Sequence, residues 1–466
     1  MTRLMMTMAA LLLVALGPVT AAAERPGLEG DWAGALAAGG VTLRLVFHIS
    51  GGPQGPTGTV DSVDQGAVGR SLSAVRRDGP AVVFEVAAPR ATFEGDLDAL
   101  GQTLTGHWKQ GAASLPLVLT RRAAGAAPVT LNRPQTPTKP YPYVEEEVAF
   151  DDLGGHARLA GALTLPPGPG PFPAAVLVAG SGPNTRDEPI LGHRLFLVLA
   201  DHLTRGGLAV LRYDKRGTGA STGDYARATT RDFADDVQAA LAWLRARGDI
   251  DPARIGLIGH SEGGLIAPMV AAQDPKVAFV VMMAGPGVNG AAILDEQGRL
   301  ITRAMGMSEA KITQSSALRD EAIAIVRAEK DPAAAAAKIR ARLSAAARDQ
   351  GLTDQQIEAQ IAVLNSEWFR FFFDYDPAPT LRQVRAPVLA LIGAKDLQVS
   401  AAQNLPAIRA ALAANPNAEV DELPSLNHLF QTAVTGGFGE YGAIEETIAP
   451  SALDLIAGWI HKQVGR

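Results

Sequence analysis

The stretch Ile255-Gly256-Leu257-Ile258-Gly259-His260-Ser261-Glu262-Gly263 decides the fold. Its first four residues make a short apolar strand, and residues 265–273 make a helix-compatible run on the far side. Between them, Gly-x-Ser-x-Gly is the turn that presents a strained serine between a strand and a helix. In a chain with 49 glycines the bare pattern carries little weight, so the flanking elements carry the reading. Glycines on both sides of the serine permit close strand–helix packing and the unusual backbone angles of such an elbow.

Working outward, apolar strand segments at 159–165, 174–178, 209–212, 277–283, 388–392 and 419–423 alternate with amphipathic helical patterns. That alternation predicts a mostly parallel sheet covered by helices on both faces, an α/β domain over residues 143–466. An Ala-, Arg- and Glu-rich helical segment at about 289–379 interrupts it and predicts an inserted helical cap.

A serine hydroxyl needs a histidine to take its proton and a carboxylate to hold that histidine in the right tautomer. On a Gly-x-Ser-x-Gly elbow the order along the chain is Ser, acid, His. Beyond Ser261 lie only His428 and His461. His461 falls in the amphipathic run 455–464, whereas His428 follows a strand in the loop Ser425-Leu-Asn-His428, where such sheets keep their chemistry. Asp396 follows the strand 388–392 by the short turn Gly393-Ala-Lys. Ser261, Asp396 and His428 are therefore the expected catalytic residues. Two backbone N–H donors are also needed for the developing oxyanion. Glu262, next after the nucleophile, supplies one; the loop Ala179-Gly180-Ser181-Gly182-Pro183 supplies the other through Ser181, with Gly180 as its neighbour.

Taken together, Gly180-Ser-Gly-Pro-Asn-Thr-Arg-Asp-Glu188, Tyr213-Asp-Lys-Arg-Gly-Thr-Gly-Ala-Ser221, Gly259-His-Ser-Glu-Gly263, Gly393-Ala-Lys-Asp396 and Leu426-Asn-His428 resemble a bacterial α/β-hydrolase family. That family contains carboxylesterases and relatives grouped with serine aminopeptidases and bile-acid-CoA thioesterases. The resemblance covers about residues 143–466 and implies the α/β-hydrolase fold and serine hydrolase chemistry, with carboxylic esters as leading substrates; the expected cap above Ser261 should limit the acyl space and favour small to medium acyl chains. Thioesters and N-terminal peptide amides run on the same constellation. Where such enzymes often carry His-Gly, this chain has Ala179-Gly180, which keeps the backbone donors and removes a side-chain anchor.

Asp214 to Ser221 lacks the spacing of a phosphate-binding loop and reads as a structural turn. Arg186, Asp187 and Glu188 either line the leaving-group side of the pocket or brace their loop with ion pairs. Trp368, Phe369, Phe371, Phe372 and Phe373 concentrate aromatics in the cap; packing explains most of them, and one or two can line an acyl pocket.

Upstream, Val41, Leu43, Leu45, Phe47 and Ile49 alternate with more polar residues as a half-buried strand does, and further short runs follow to residue 122. Residues 24–122 thus form a small all-β unit, sandwich or barrel, whose Gly30-Asp31-Trp32 resembles the Gly-x-Trp of lipocalin-like barrels. Residues 123–142, rich in Ala, Gly and Pro, read as a semi-rigid linker. At the start, Arg3, an apolar stretch and Ala21-Ala22-Ala23 make residues 1–23 a secretory signal peptide cut before Glu24, too short to span a bilayer. A periplasmic or secreted protein with no stable membrane anchor follows.

Composition agrees. With 47% hydrophobic and 19% charged residues over 466 positions, the chain is a soluble globular protein. A net charge of -6 without a basic block gives no reason to expect nucleic acid, and small-molecule esters fit better. The absence of cysteine excludes disulfides. No His-Glu-x-x-His or clustered His/Asp set suggests a metal, and no cofactor is expected. A non-catalytic exported binding protein is the alternative from another class, and the complete Ser-His-Asp set argues against it.

Overall fold

The computed structural model describes residues 27–465 apart from 39–40, 54, 66, 88–89, 111–112, 128 and 350–351. The expected signal peptide, residues 1–23, lies outside the described residues. The chain divides into two compact units.

The first is a closed eight-stranded antiparallel barrel running from Gly30–Ala38 to Ala113–Arg121, where the first strand pairs with the last. Alternate side chains point inward, and Trp32, Phe47, Phe84, Phe93 and Leu104 are fully buried there. Ring centroids of Phe47 and Phe84 lie 5.1 Å apart, those of Phe84 and Phe93 5.7 Å, and those of Phe47 and Trp108 6.2 Å. Trp32 donates from Nε1 to the Leu28 carbonyl at 2.9 Å, and the Arg121 guanidinium covers its ring at 4.2 Å.

The second unit is built on an eight-stranded sheet in the order Ala418–Leu423, Val388–Gly393, Val280–Met283, Ile250–His260, Phe172–Val178, Ala209–Tyr213, Arg158–Leu165, Val144–Asp151. Arg158–Leu165 pairs antiparallel with both neighbours, and the other pairings are parallel. Because both faces are covered, the central strands are apolar throughout: Ala174, Val176 and Val178 join one core with Phe233, Leu241, Leu265 and Ile408, while Ala175 and Leu177 join the other with Leu199, Ile456 and Trp459. From Phe172–Val178 the chain moves outward to Ala209–Tyr213 and then returns to Ile250–His260 on the other side. Strand order reverses there, which opens a crevice at the strands' carboxyl ends.

The cap consists of five helices, Gly290–Ala304, Glu309–Ala328, Pro332–Asp349, Asp354–Leu364 and Glu367–Asp374. It has a core of its own from Ile323, Val326, Ile339, Ile357, Ile361 and Phe373. Within the stretch read as a linker, Arg133 donates to the carbonyls of Leu191, Gly442 and Ile444, and Gln135 accepts from the amides of Thr447 and Ile448. Those residues are therefore packed onto the second unit. No described helix is long and apolar enough to cross a membrane.

Candidate active site

Ser261 ends the strand Ile250–His260 with φ +54°, and the helix Gly263–Gln273 leaves at once. The elbow depends on two glycines. A Cβ at Gly259 would stand 1.9 Å from the Gly263 carbonyl oxygen, and one at Gly263 would stand 1.9 Å from the Val178 carbonyl oxygen. Only without side chains can helix and neighbouring strand approach this closely. Ser261 N–H donates to the Met283 carbonyl at 2.8 Å, fixing the turn on the next strand.

Asp396 and His428 come from the loops after Val388–Gly393 and Ala418–Leu423, the last two strands on one side of the sheet. The Lys395 amide donates to the Leu426 carbonyl at 2.8 Å, which stitches the two loops together. His428 Nδ1–H donates to Asp396 Oδ2 at 2.8 Å, with both residues buried. The other carboxylate oxygen accepts from the amides of Gln398 at 2.8 Å and Val399 at 2.9 Å. With Nδ1 protonated, Nε2 of His428 is free to act as base. The loop carrying His428 is shaped by Asn427, fully buried, whose Oδ1 accepts from the amides of Leu429 and Gln431 at 3.0 Å each.

His260, the residue before Ser261, joins the two halves of the site. Its Nε2 donates to the His428 carbonyl at 2.9 Å, and the two rings lie 4.9 Å apart. Its Nδ1 is 3.1 Å from Glu188 Oε1. Burial disfavours the imidazolium, but the Glu188 carboxylate and the His428 carbonyl outweigh it and hold the pKa above the ordinary value.

The expected oxyanion donors, Ser181 and Glu262, sit after the ends of neighbouring strands, paired through Val178 and Gly259. Neither amide meets another acceptor among the described residues. Gly180 requires a correction: its N–H donates to Glu188 Oε1 at 2.7 Å and is not available to an oxyanion. The Glu188 carboxylate, in a residue 1% exposed, turns that N–H inward. The rest of the Arg186-Asp187-Glu188 loop is a brace, with Arg186 on Asp214 and Glu147, and Asp187 on Arg194 and Arg212. Asp214 also caps the following turn by accepting from the Ala220 amide at 3.0 Å.

Beside Ser261 opens a cavity of about 590 Å³, lined mainly by apolar side chains that include Ile293, Leu294, Trp368, Phe369 and Phe372. Phe373 is buried in the cap core, and Phe371 stacks on Tyr375. The acid on the cavity wall is Glu262, and its carboxylate is engaged: Oε1 accepts from Trp368 Nε1 at 2.5 Å and Thr230 Oγ1 at 2.8 Å, and Oε2 accepts from Lys215 Nζ at 3.0 Å. Sequence reasoning missed His260, Asn427 and Lys215: the side-chain partners of His260 and Lys215 are distant in the chain, and those of Asn427 lie within its own loop. Among the described residues, no group of three or more His, Asp and Glu is placed to hold a metal ion.

A profile described as X-Pro dipeptidyl-peptidase (S15 family) matches residues 109–420. The chain belongs to the S15 family. As a member of it, this S15 chain is also 27% identical to Esterase EstD of Thermotoga maritima over 311 residues, 65% of the chain and 66% of that protein. The match thus spans just under two thirds of that relative. Among solved structures, the Pyrococcus furiosus esterase Pf2001 is 15% identical, with 72% of this S15 chain and 99% of that chain covered at a TM-score of 0.45. The ferulic-acid-bound Est1E from Butyrivibrio proteoclasticus is 16% identical, covering 68% and 100% at 0.42. The sheet order, elbow and cap make this the α/β-hydrolase fold, and the resemblance to bacterial α/β-hydrolases with carboxylesterase members is borne out.

Proposed function

We propose that the chain is a serine hydrolase of carboxylic esters, working through an acyl-Ser261 intermediate. Ser261 Oγ attacks the ester carbonyl as its proton passes to His428 Nε2, and the Ser181 and Glu262 amides receive the oxyanion. The same proton then goes to the departing alkoxide, which leaves as the alcohol. Water, deprotonated by His428, attacks the acyl carbonyl in the second half-reaction, and Ser261 recovers its proton as the acid departs. Asp396 orients the imidazole through its bond to Nδ1.

One observation carries the ester reading over a peptidase one. The match to an X-Pro dipeptidyl-peptidase profile raises cleavage near a peptide's N-terminus, where the substrate brings an ammonium group. Among the described residues lining the cavity the one acid is Glu262, and both its oxygens are already bound by Lys215, Thr230 and Trp368. An apolar wall without a free carboxylate suits an acyl chain better than an ammonium ion.

The apolar cap wall of Ile293, Leu294, Trp368, Phe369 and Phe372 beside Ser261 supports small to medium acyl groups, with discrimination of only about 1–3 kcal/mol per methylene and hence a gradual profile. The Arg3-led apolar stretch and Ala21-Ala22-Ala23 support export, so that the esters are those met in the periplasm or medium. The test is kcat/KM on p-nitrophenyl esters from acetyl to palmitoyl beside an aminoacyl-prolyl p-nitroanilide and an acyl-CoA, with organophosphonate labelling of Ser261. A maximum at short to medium esters, with label lost in Ser261→Ala, is expected. Selective anilide cleavage would move the assignment to a peptidase, and selective thioester cleavage to a thioesterase.

A further inference from the structure

Lys215 lies in Tyr213-Asp-Lys-Arg-Gly, just past the strand Ala209–Tyr213, and is 3% exposed. Its ammonium has three neighbours. Nζ donates to the Gly180 carbonyl at 2.7 Å and to Glu262 Oε2 at 3.0 Å, and it stands 4.1 Å from the centre of the Phe233 ring. The first two belong to the two segments that carry the oxyanion donors.

We infer that Lys215 is the positioning residue of the oxyanion hole; this rests on the reading of Ser261 as an acyl-transfer nucleophile. The carbonyl that Lys215 binds and the N–H of Ser181 are the two ends of one peptide group. In a trans peptide they point in opposite directions, so holding the oxygen from one side aims the N–H to the other. That other side is the cavity's, which Ser181 and Ser261 both line; Gly180 itself lies against the serine, where an added Cβ would stand 3.1 Å from Ser261 Cβ and 2.8 Å from Glu188 Oε1. Asn184 Nδ2 supports the same carbonyl at 3.0 Å. A cation on a peptide oxygen also draws electron density from the nitrogen, which makes the N–H a stronger donor as charge builds on the substrate. Through Glu262 Oε2 the ammonium fixes the residue that supplies the second donor, setting the spacing between the two. The Tyr213–Ser221 turn thereby acquires a role in the chemistry although Lys215 touches no substrate.

The test separates positioning from charge balance. In the full chain, Lys215→Met leaves the Glu262 carboxylate without its cation, so Lys215→Met/Glu262→Gln is made beside it and beside Glu262→Gln alone. The double variant is expected to have kcat on p-nitrophenyl butyrate about 10²-fold below that of Glu262→Gln, the scale of losing one oxyanion donor, with KM changed little. Affinity for an alkyl trifluoromethyl ketone, which forms a tetrahedral oxyanion on the serine, should weaken by a similar factor. Asn184→Ala, which removes the second support of the same carbonyl, should lower both quantities together by a smaller factor. A double variant within threefold of Glu262→Gln would overturn the inference and leave Lys215 as a counter-ion; so would a fall in kcat with unchanged ketone affinity. If Ser261→Ala is inactive while the Lys215 variants work normally, only this inference fails. If Ser261→Ala itself turns over, the nucleophile reading fails with it.

Discussion

Replacing Asp396 by Asn changes one atom and should reverse the tautomer of His428. Oδ1 accepts two backbone amides, Gln398 at 2.8 Å and Val399 at 2.9 Å, while Oδ2 accepts from His428 Nδ1 at 2.8 Å. An asparagine must keep its single oxygen on the two amides, because turning its NH₂ toward them would strand two donors at about 1–3 kcal/mol each. The NH₂ then faces His428 Nδ1, which can only accept. The imidazole proton moves to Nε2, the nitrogen that has to take the proton from Ser261. The wrong tautomer in such a triad costs ~10⁴ in turnover, or about 5 kcal/mol of transition-state stabilisation. The assay is kcat/KM on p-nitrophenyl butyrate with near-ultraviolet circular dichroism as the check on folding, and the rate of phosphonate labelling should fall in parallel. A folded Asp396→Asn enzyme within tenfold of wild type would refute the reasoning.

Trp368→Phe keeps an aromatic ring to pack on Phe372, 4.8 Å away, but removes the bond to the Glu262 carboxylate. A double-mutant cycle with Glu262→Gln in kcat/KM should give a coupling above about 0.5 kcal/mol, and additive values would show that cap and oxyanion residue are independent. Gly263→Ala puts a methyl 1.9 Å from the Val178 carbonyl oxygen, so it should lower Tm and abolish phosphonate labelling; normal labelling would mean that the elbow tolerates a Cβ. For pH, burial pushes the His193 imidazole down to about 4, with the Arg133 charge adding to it against the Tyr441 carbonyl. The folded state binds this proton less readily than the unfolded one, so stability is full above pH 6.5 and is lost as pH falls toward 4, by roughly 3 kcal/mol over the span. Urea midpoints of His193→Gln should fall less steeply than wild type between pH 7 and 4.5; parallel curves would assign the loss to other groups.

The elbow and the strand framework were legible because each is written in consecutive residues: an apolar strand, a Gly-x-Ser-x-Gly turn, a helix. Asp396 and His428 were legible for a related reason, since the strands 388–392 and 419–423 announce the loops that carry them. The strand Val144–Asp151 was not. Its Val-Glu-Glu-Glu-Val reads as solvated chain, yet it is the sheet's edge, where charge is expected. Its glutamates meet Arg212, Arg247 and Arg186 from distant segments. Lys215 was hidden in the same way. A lysine in a glycine-rich turn looks solvent-facing until the fold brings the Gly180 carbonyl and the Glu262 carboxylate to it from residues far away in the chain. Gly180 was misassigned because nothing local says that the Glu188 carboxylate turns back to take its amide.

Aromatic side chains occupy the middle of the first unit's barrel. Phe47, Phe84, Phe93 and Trp108 lie ring against ring at its centre, at the strand number where side chains alone just suffice to fill the space. Displacing one of these rings from the middle of the barrel would forfeit several kcal/mol of packing. Substitutions on the outward-facing half of its strands and on the turns that join them leave that packing intact, so its exterior is the surface that can be mutated without unfolding it when its purpose is sought.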